Sequence, residues 1–309
     1  MSTLVEALQT TEPALRSVLM ACADAAADCS AALRKSETYL AGAGEANAFG
    51  DVQCRADVVT NELFFASLQA CEAVASAASE EASTPRLLHQ GGSVSVSFDP
   101  LDGSSVLDAG LAVGSIVGVW PGATFVGLTG RQQLAALYVV YGPRTLLVLA
   151  VGGKVSQFCL SEGRSWLRTH SQLQLTGAMK LVAPANARCA SENEAYQVLL
   201  ARLFEEHFTL RYSGALVPDV HHLLSKGGGV FISPASPSHP AKLRLLFEAA
   251  PMAFVVEAAG GHSCDDSGQS ILDVLVTHAE QRSALCLGAP WLVAEAAAAM
   301  SSADSSQKL

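Results

Sequence analysis

The chain has 309 residues, half of them apolar, and a mean hydropathy of +0.30, enough for about two domains with a substantial core. No apolar run spans a bilayer, because the best candidates are broken by Gly142-Pro143-Arg144 and by Glu248, Pro251 and Glu257, so a soluble protein is expected. A formal charge of −10 argues against nucleic acid or an anionic membrane as partner, and a phosphorylated ligand would need bound cations to invert the local field.

Met1 to Leu15 has two glutamates and neither a basic region nor an apolar block, so no secretory signal or transit peptide is expected. Pro13 to Lys35 reads as an Ala-rich amphipathic helix. Asp57 to Ala78 reads as a second, with Val59, Leu63 and Leu68 near helical spacing. Strand-like runs follow at Val94–Asp99, Val113–Trp120, Leu146–Val151 and Val155–Leu160, the last closed by a turn at Ser161-Glu162-Gly163-Arg164. Thr169 to Lys180 is polar and irregular, which places a domain boundary near Gly177, between segments 1–176 and 177–309. The second half offers a helix at Glu192–His207, a strand at Gly229–Ile232, a helix around Leu246–Ala259 and an Ala-rich helix at Trp291–Met300, before a Ser-rich tail from Ser301. The eight cysteines form no CxxC and no zinc spacing, and read as reduced thiols of an intracellular core.

The segment Phe98-Asp99-Pro100-Leu101-Asp102-Gly103-Ser104-Ser105 ends an alternating apolar run with two carboxylates three residues apart. Pro100 biases Asp99 toward extended backbone, so Asp99 reads as the last residue of a strand. Gly103 permits a tight turn, and the two serines suit a helix start. Carboxylates suit Mg²⁺, and amides at a helix start suit an anion. Ser79-Glu80-Glu81 closes the second helical pattern, and Gly50-Asp51 with Asp57 opens it. Glu248 stands alone in an apolar stretch, where a buried charge needs a metal or a partner, the alternative being a salt bridge to Arg244.

These blocks resemble the fructose-1,6-bisphosphatase/sedoheptulose-1,7-bisphosphatase family of metal-dependent sugar phosphatases. Arg211-Tyr212, Val217-Pro218-Asp219-Val220 and Lys242-Leu243-Arg244-Leu245-Leu246-Phe247-Glu248 continue the likeness in family order. The resemblance implies an α/β (α+β) fold of layered αβαβα type, with the active site between two domains. It also implies two or more Mg²⁺, with Mn²⁺ as an alternative. Glu80, Asp99, Asp102 and Glu248 would be metal ligands, joined by the Leu101 carbonyl. Glu81 and Asp57 would position and deprotonate the attacking water, with Asp51 supporting that loop. The amides of Gly103, Ser104 and Ser105 would cradle the reacting phosphate.

A second phosphate needs cations, and Lys plus Arg number only 19. Arg211-Tyr212 can offer a guanidinium fork and a phenol hydroxyl, and Lys242 and Arg244 are candidates for the same face. By resemblance Asn186, Arg211, Tyr212 and Lys242 map onto sugar and distal-phosphate contacts. In this family the arginine can come from a neighbouring subunit, so a homodimer or homotetramer is expected. The blocks Asn47 to Asp51, Gly118 to Gly122, Tyr141 to Thr145 and Thr209 to Tyr212 lean toward the sedoheptulose branch, and Ser233 stands where fructose bisphosphatases carry tyrosine. A fructose or dual-specificity enzyme and a non-catalytic sugar-phosphate sensor are the alternatives. His221 and His222 read as helix-surface residues. The N-terminus lacks the glycine- and threonine-rich segment of an AMP site. Leu40 and Glu45 occupy the places of the plant redox cysteines. Gln307-Lys308-Leu309 matches two positions of a Ser-Lys-Leu address, so a peroxisome-type organelle such as a glycosome, or the cytoplasm, is expected.

Overall fold

The computed structural model describes residues 2–35, 54–82, 84–177 and 179–301. Asp51, Leu40, Glu45 and Gln307-Lys308-Leu309 therefore lie outside the described residues. The chain opens with a short helix, α1 (Leu4–Ala7), held by a reciprocal capping box of Thr3 and Glu6. The long helix α2 (Pro13–Ala32) starts at a proline, and the Glu12 carboxylate accepts from the amides of Ala14 and Leu15. Helix α3 (Arg55–Gln69) then stops short of the expected end at Ala78. Val74–Ser79 is instead a strand, β1, with every residue buried. A strand buried on both faces shows no alternation, and its small residues favour helix locally; parallel pairing overrides that preference.

The first sheet continues with β2 (Arg86–Leu87), β3 (Val94–Asp102), β4 (Val113–Pro121), β5 (Ala135–Tyr141), β6 (Thr145–Val151), β7 (Lys154–Leu160) and β8 (Trp166–His170). Its order is β2-β1-β3-β4-β5-β6-β7-β8, with β1 and β3 parallel and the other pairs antiparallel. Strand β3 runs past Asp99 to Asp102, with an irregularity in register between them. The one-turn helix α4 (Ser104–Leu107) follows, and Gly103, not a serine, holds its cap position with φ 88°.

The second half contributes β9 (Leu181–Pro184), helix α5 (Glu194–Glu205), β10 (Thr209–Leu210), helix α6 (Leu216–Lys226), β11 (Val230–Ser233), helix α7 (Ala250–Ala258), β12 (His262–Cys264), β13 (Leu285–Gly288) and helix α8 (Pro290–Ser301). These strands form a second sheet ordered β10-β9-β11-β13-β12.

Three apolar cores define five layers. Helices α2 and α3 pack on one face of the first sheet. Helices α6 and α7 fill the space between the two sheets. Helices α5 and α8 cover the outer face of the second sheet. The αβαβα order follows. Strand β5 shows the logic: Leu137 and Val139 join the outer core, while Tyr138 and Val140 join the central one. Burial on both faces also explains why β5 carries no polar alternation to read. His221 is half-buried on α6 and not simply a surface residue. The Tyr138 hydroxyl hydrogen-bonds its Nδ1 at 3.0 Å, and burial pushes its pKa down to about 4.

Glycine sets how closely α6 approaches the first sheet. Gly114 pairs with Asp102 in the β3–β4 ladder. A Cβ there would lie 2.4 Å from Val217 Cγ1 and 2.7 Å from the Val139 carbonyl. Gly114→Ala is expected to destabilise the protein by about 1–3 kcal/mol through overpacking. Urea denaturation measures this, and an unchanged midpoint would show that α6 can move off the sheet freely.

Candidate active site

Two neighbouring strand ends bring the first carboxylates together. Parallel pairing sets Ser79 opposite Phe98, and the Glu80 amide donates to the Phe98 carbonyl at 3.0 Å. Glu80 and Asp99 therefore leave the sheet side by side. The third carboxylate comes from a π-helical turn, Leu245–Ala249, that leads into α7. Such widened turns occur often at functional sites. Here the Ala249 amide reaches back to the Arg244 carbonyl at 3.1 Å. The turn is bolted to β3 by Ser97, whose hydroxyl donates to the Leu246 carbonyl at 3.0 Å and accepts from Trp120 Nε1 at 2.8 Å. One carboxylate oxygen from each of Glu80, Asp99 and Glu248 falls within 4.8 Å of the others.

Burial raises the pKa of all three carboxyls. Glu80 rises to about 7, opposed by the Arg244 charge and reinforced by Glu81. Asp99 and Glu248 rise well above the carboxylate range, from burial first and the neighbouring Glu80 charge second. The Asp99 Oδ1 accepts from the Leu101 amide at 2.9 Å, which folds the Asp-Pro-Leu corner back on itself. Asp102 stands slightly apart. Its two oxygens accept from the amides of Leu216 (3.0 Å) and Val217 (2.6 Å) at the start of α6, where a carboxylate is favoured. Burial still takes it up to about 6.

A cavity of about 310 Å³ joins Glu80, Asp99, Asp102 and Glu248 to Asp57, Glu81, Leu101, Gly103 and Ser104. Asp57 sits in the first turn of α3, where the Cys54 amide donates to its Oδ2 at 2.8 Å. Among the described residues its Oδ1 is buried without a hydrogen-bond partner. Burial pushes Asp57 up to about 6, opposed by the Cys54 amide and reinforced by Glu81.

Arg244 is the buried cation of the cluster. Its backbone amide donates to Glu248 Oε2 at 2.6 Å, while its guanidinium pairs with Glu80 and, at 3.0 Å, with Glu280. The contact expected between Arg244 and Glu248 thus exists through the main chain. Glu280 and Arg282, which no sequence feature singled out, meet the site through the loop before β13: Arg282 lines the cavity and bridges Arg244 across backbone.

A second cavity of about 310 Å³ shares Asp102, Lys242 and Leu243 with the first. Ser105, Asn186, Arg188, Tyr212 and Ser233 also line it. Arg211 is brought to neither lining within this chain; its guanidinium donates to its neighbour's carbonyl, Leu210, at 2.8 Å. Arg188 was not anticipated, and its position two residues after Asn186 was the available signal.

The donor set fits a hard divalent cation. All of its side-chain atoms are carboxylate oxygens, and two buried carboxyls and a partly buried one crowd one point with a single buried guanidinium among the described residues at the cavity wall. The orphaned Asp57 oxygen faces the same need for a polar ligand.

The family model described as the fructose-1-6-bisphosphatase N-terminal domain matches residues 3–171, and that of the C-terminal domain matches residues 175–301. The chain is 40% identical over 289 residues to a chloroplastic sedoheptulose-1,7-bisphosphatase of Chlamydomonas reinhardtii, covering 92% of this chain and 72% of that one. It is 36% identical over 249 residues to a class 1 fructose-1,6-bisphosphatase of Syntrophotalea carbinolica, covering 80% and 77%. The crystal structure of a proposed sedoheptulose-1,7 bisphosphatase from Toxoplasma gondii superposes with a TM-score of 0.89 at 35% identity, covering 98% of this chain and 99% of that one. The chain belongs to the fructose-1,6-bisphosphatase/sedoheptulose-1,7-bisphosphatase family and is a sugar-bisphosphate phosphatase. That family is metal-dependent.

Raised carboxyl pKa values make proton release the signature of cation binding, because a cation binds the ionised forms. Near pH 6, Glu80 (about 7), Asp57 and Asp102 (both about 6) are partly protonated. Titrating Mg²⁺ or Mn²⁺ into the protein in buffers of different ionisation enthalpy is expected to show release of about one proton or more at pH 6 and less at pH 8. Release that is absent at pH 6, despite binding, would contradict this charge state.

Proposed function

We propose that the protein is a Mg²⁺-dependent sedoheptulose-1,7-bisphosphatase that removes the 1-phosphate and yields sedoheptulose 7-phosphate. The observation that carries this reading is the adjoining pair of cavities: one is ringed by carboxylates, the other by Lys242, Arg188 and Tyr212, and Asp102 and Lys242 are common to both. A bisphosphate has one phosphate for each. The similarity to the algal enzyme favours the seven-carbon sugar. Ser233 in the second cavity supports it, since a hydroxymethyl group there leaves more room than a tyrosine. Fructose-1,6-bisphosphate is the competing substrate, as the class 1 relatives indicate.

In this reading Glu80, Asp99, Glu248, Asp102 and the Leu101 carbonyl hold the cations. Bound Mg²⁺, or Mn²⁺ in its place, supplies charge for the phosphoryl oxygens and acidifies water. Glu81 and Asp57 orient the attacking water and take its proton as its oxygen bonds to phosphorus and the bond from phosphorus to the C1 oxygen breaks, the C1 oxygen taking up a proton from solvent as it leaves. Asp57 suits that role, because a carboxylate near pKa 6 is ionised at neutral pH yet more basic than an ordinary aspartate. Gly103, Ser104 and Ser105 hold the reacting phosphate through the turn that ends β3. Asp51 belongs to the same proposal by family position. Tyr212 and Lys242 bind the sugar and the far phosphate. Exposed Leu210 on β10 and Arg211 just after it suit a homo-oligomer contact in which Arg211 serves a neighbouring copy. The division into segments 1–176 and 177–309 is proposed on the same footing, and the segment between β8 and β9 supports it.

Phosphate release from the two bisphosphates, measured side by side with Mg²⁺ and with EDTA, tests this function. Preference for the seven-carbon substrate, abolished by EDTA and lowered by Ser233→Tyr, is expected. Glu81→Gln should lower kcat by about 10²–10⁴, the usual worth of a general base. Equal rates on both substrates would remove the specificity claim, and turnover in EDTA would remove the metal.

A further inference from the structure

Asn186 and Arg188 both line the second cavity but differ in what they leave free for a ligand. Asn186 follows β9 in left-handed backbone, φ 48° and ψ 37°. Its amide nitrogen lies 2.8 Å from the Pro234 carbonyl, 3.1 Å from the His239 carbonyl and 3.1 Å from the Cys189 sulfur. An amide has two hydrogens, so these acceptors leave none for a ligand. The Cys189 thiol is tied to the same two carbonyls, at 3.5 and 3.6 Å. Asn186 is thereby a fixed post that also anchors the loop leading to Lys242.

The remaining Asn186 atom, Oδ1, accepts from Arg188 Nη2 at 3.4 Å. Arg188 is exposed, lines the cavity beside Tyr212 and Lys242, and has no carboxylate within ion-pair distance among the described residues. Cations are scarce in a chain of formal charge −10, and this one faces a cavity instead of an acid. Its charge also bears on the Tyr212 phenol, acting against the burial that raises that group. Arg211 is not among the residues lining the cavity.

We propose that Arg188, held by Asn186 Oδ1, is the guanidinium that binds the far phosphate from within the same chain, with Lys242 and Tyr212 beside it. A guanidinium matches phosphate oxygens in a two-point fork, which a lysine does not. Asn186 is then a positioning residue and Arg188 a binding and specificity residue. This rests on the bisphosphate reading above.

Sedoheptulose 7-phosphate, which carries the far phosphate alone, separates the two ideas. It is titrated calorimetrically into the full-length, metal-free protein and its Arg188→Gln and Arg188→Lys variants. Wild type is expected to bind, Arg188→Gln to bind about 10- to 100-fold more weakly, the range for a lost charge-assisted hydrogen bond, and Arg188→Lys to recover part of the loss. In parallel, the ratio of kcat/KM for the 1,7-bisphosphate to that for sedoheptulose 1-phosphate should fall by a similar factor in Arg188→Gln. Wild-type binding and turnover with both readouts unmoved in Arg188→Gln would overturn the role of Arg188 alone. Failure of the wild type to bind the 7-phosphate or to hydrolyse the bisphosphate would overturn the bisphosphate reading and this inference together.

Discussion

Parallel pairing of β1 with β3 is the constraint on which the candidate site depends. It places the Glu80 and Asp99 carboxylates at adjacent strand ends, and the π turn before α7 then adds Glu248. Three carboxylates so close, two of them buried and one partly so, are costly together. Coulomb repulsion and burial both drive them toward protonation, and the fold tolerates the crowding because Arg244 is built into it. Removing one side of such a buried pair is far more damaging than the pair is stabilising. A cation arriving from solvent would relieve the remaining repulsion, which gives the cluster a preference for metal that an exposed acidic patch lacks.

Asp102 has a different position in this arrangement of charge. It ties the end of β3 to the first amides of α6, and Gly114 and Gly103 clear the space that this contact requires. The first sheet and the central helices are thus joined at the wall common to both cavities. A change at that wall would move the carboxylate cavity and the cationic cavity relative to each other, so the distance between them is set by packing as well as by side chains.

Local features of the site were legible in the sequence. The Asp99-Pro100-Leu101-Asp102-Gly103 corner is decided by proline and glycine backbone preferences, and Glu248 stood out as a charge among apolar neighbours. The family resemblance and the αβαβα architecture were recoverable from the same blocks. What sequence hid were relations at long range. Val74–Ser79 read as helix because its small residues carry no strand alternation, so the adjacency of Glu80 and Asp99 had no local sign. The π turn has no distinct composition. Asn186 was legible as an amide of the second cavity, but the carbonyls of Pro234 and His239 that its amide nitrogen meets lie far along the chain. Arg244, legible as a basic residue, was readable as a phosphate contact or a helix pair but not as the counter-ion of Glu80 and Glu280.

We propose that Glu80, Asp99 and Glu248 together form a divalent-cation site. The most direct measurement is anomalous diffraction at the manganese edge from crystals of the full-length protein grown with Mn²⁺. A peak bounded by these three carboxylates, within oxygen-ligand distance of each, is the expected result. Saturating Mn²⁺ with no peak there, and Arg244 still bridging Glu80 and Glu280, would contradict it.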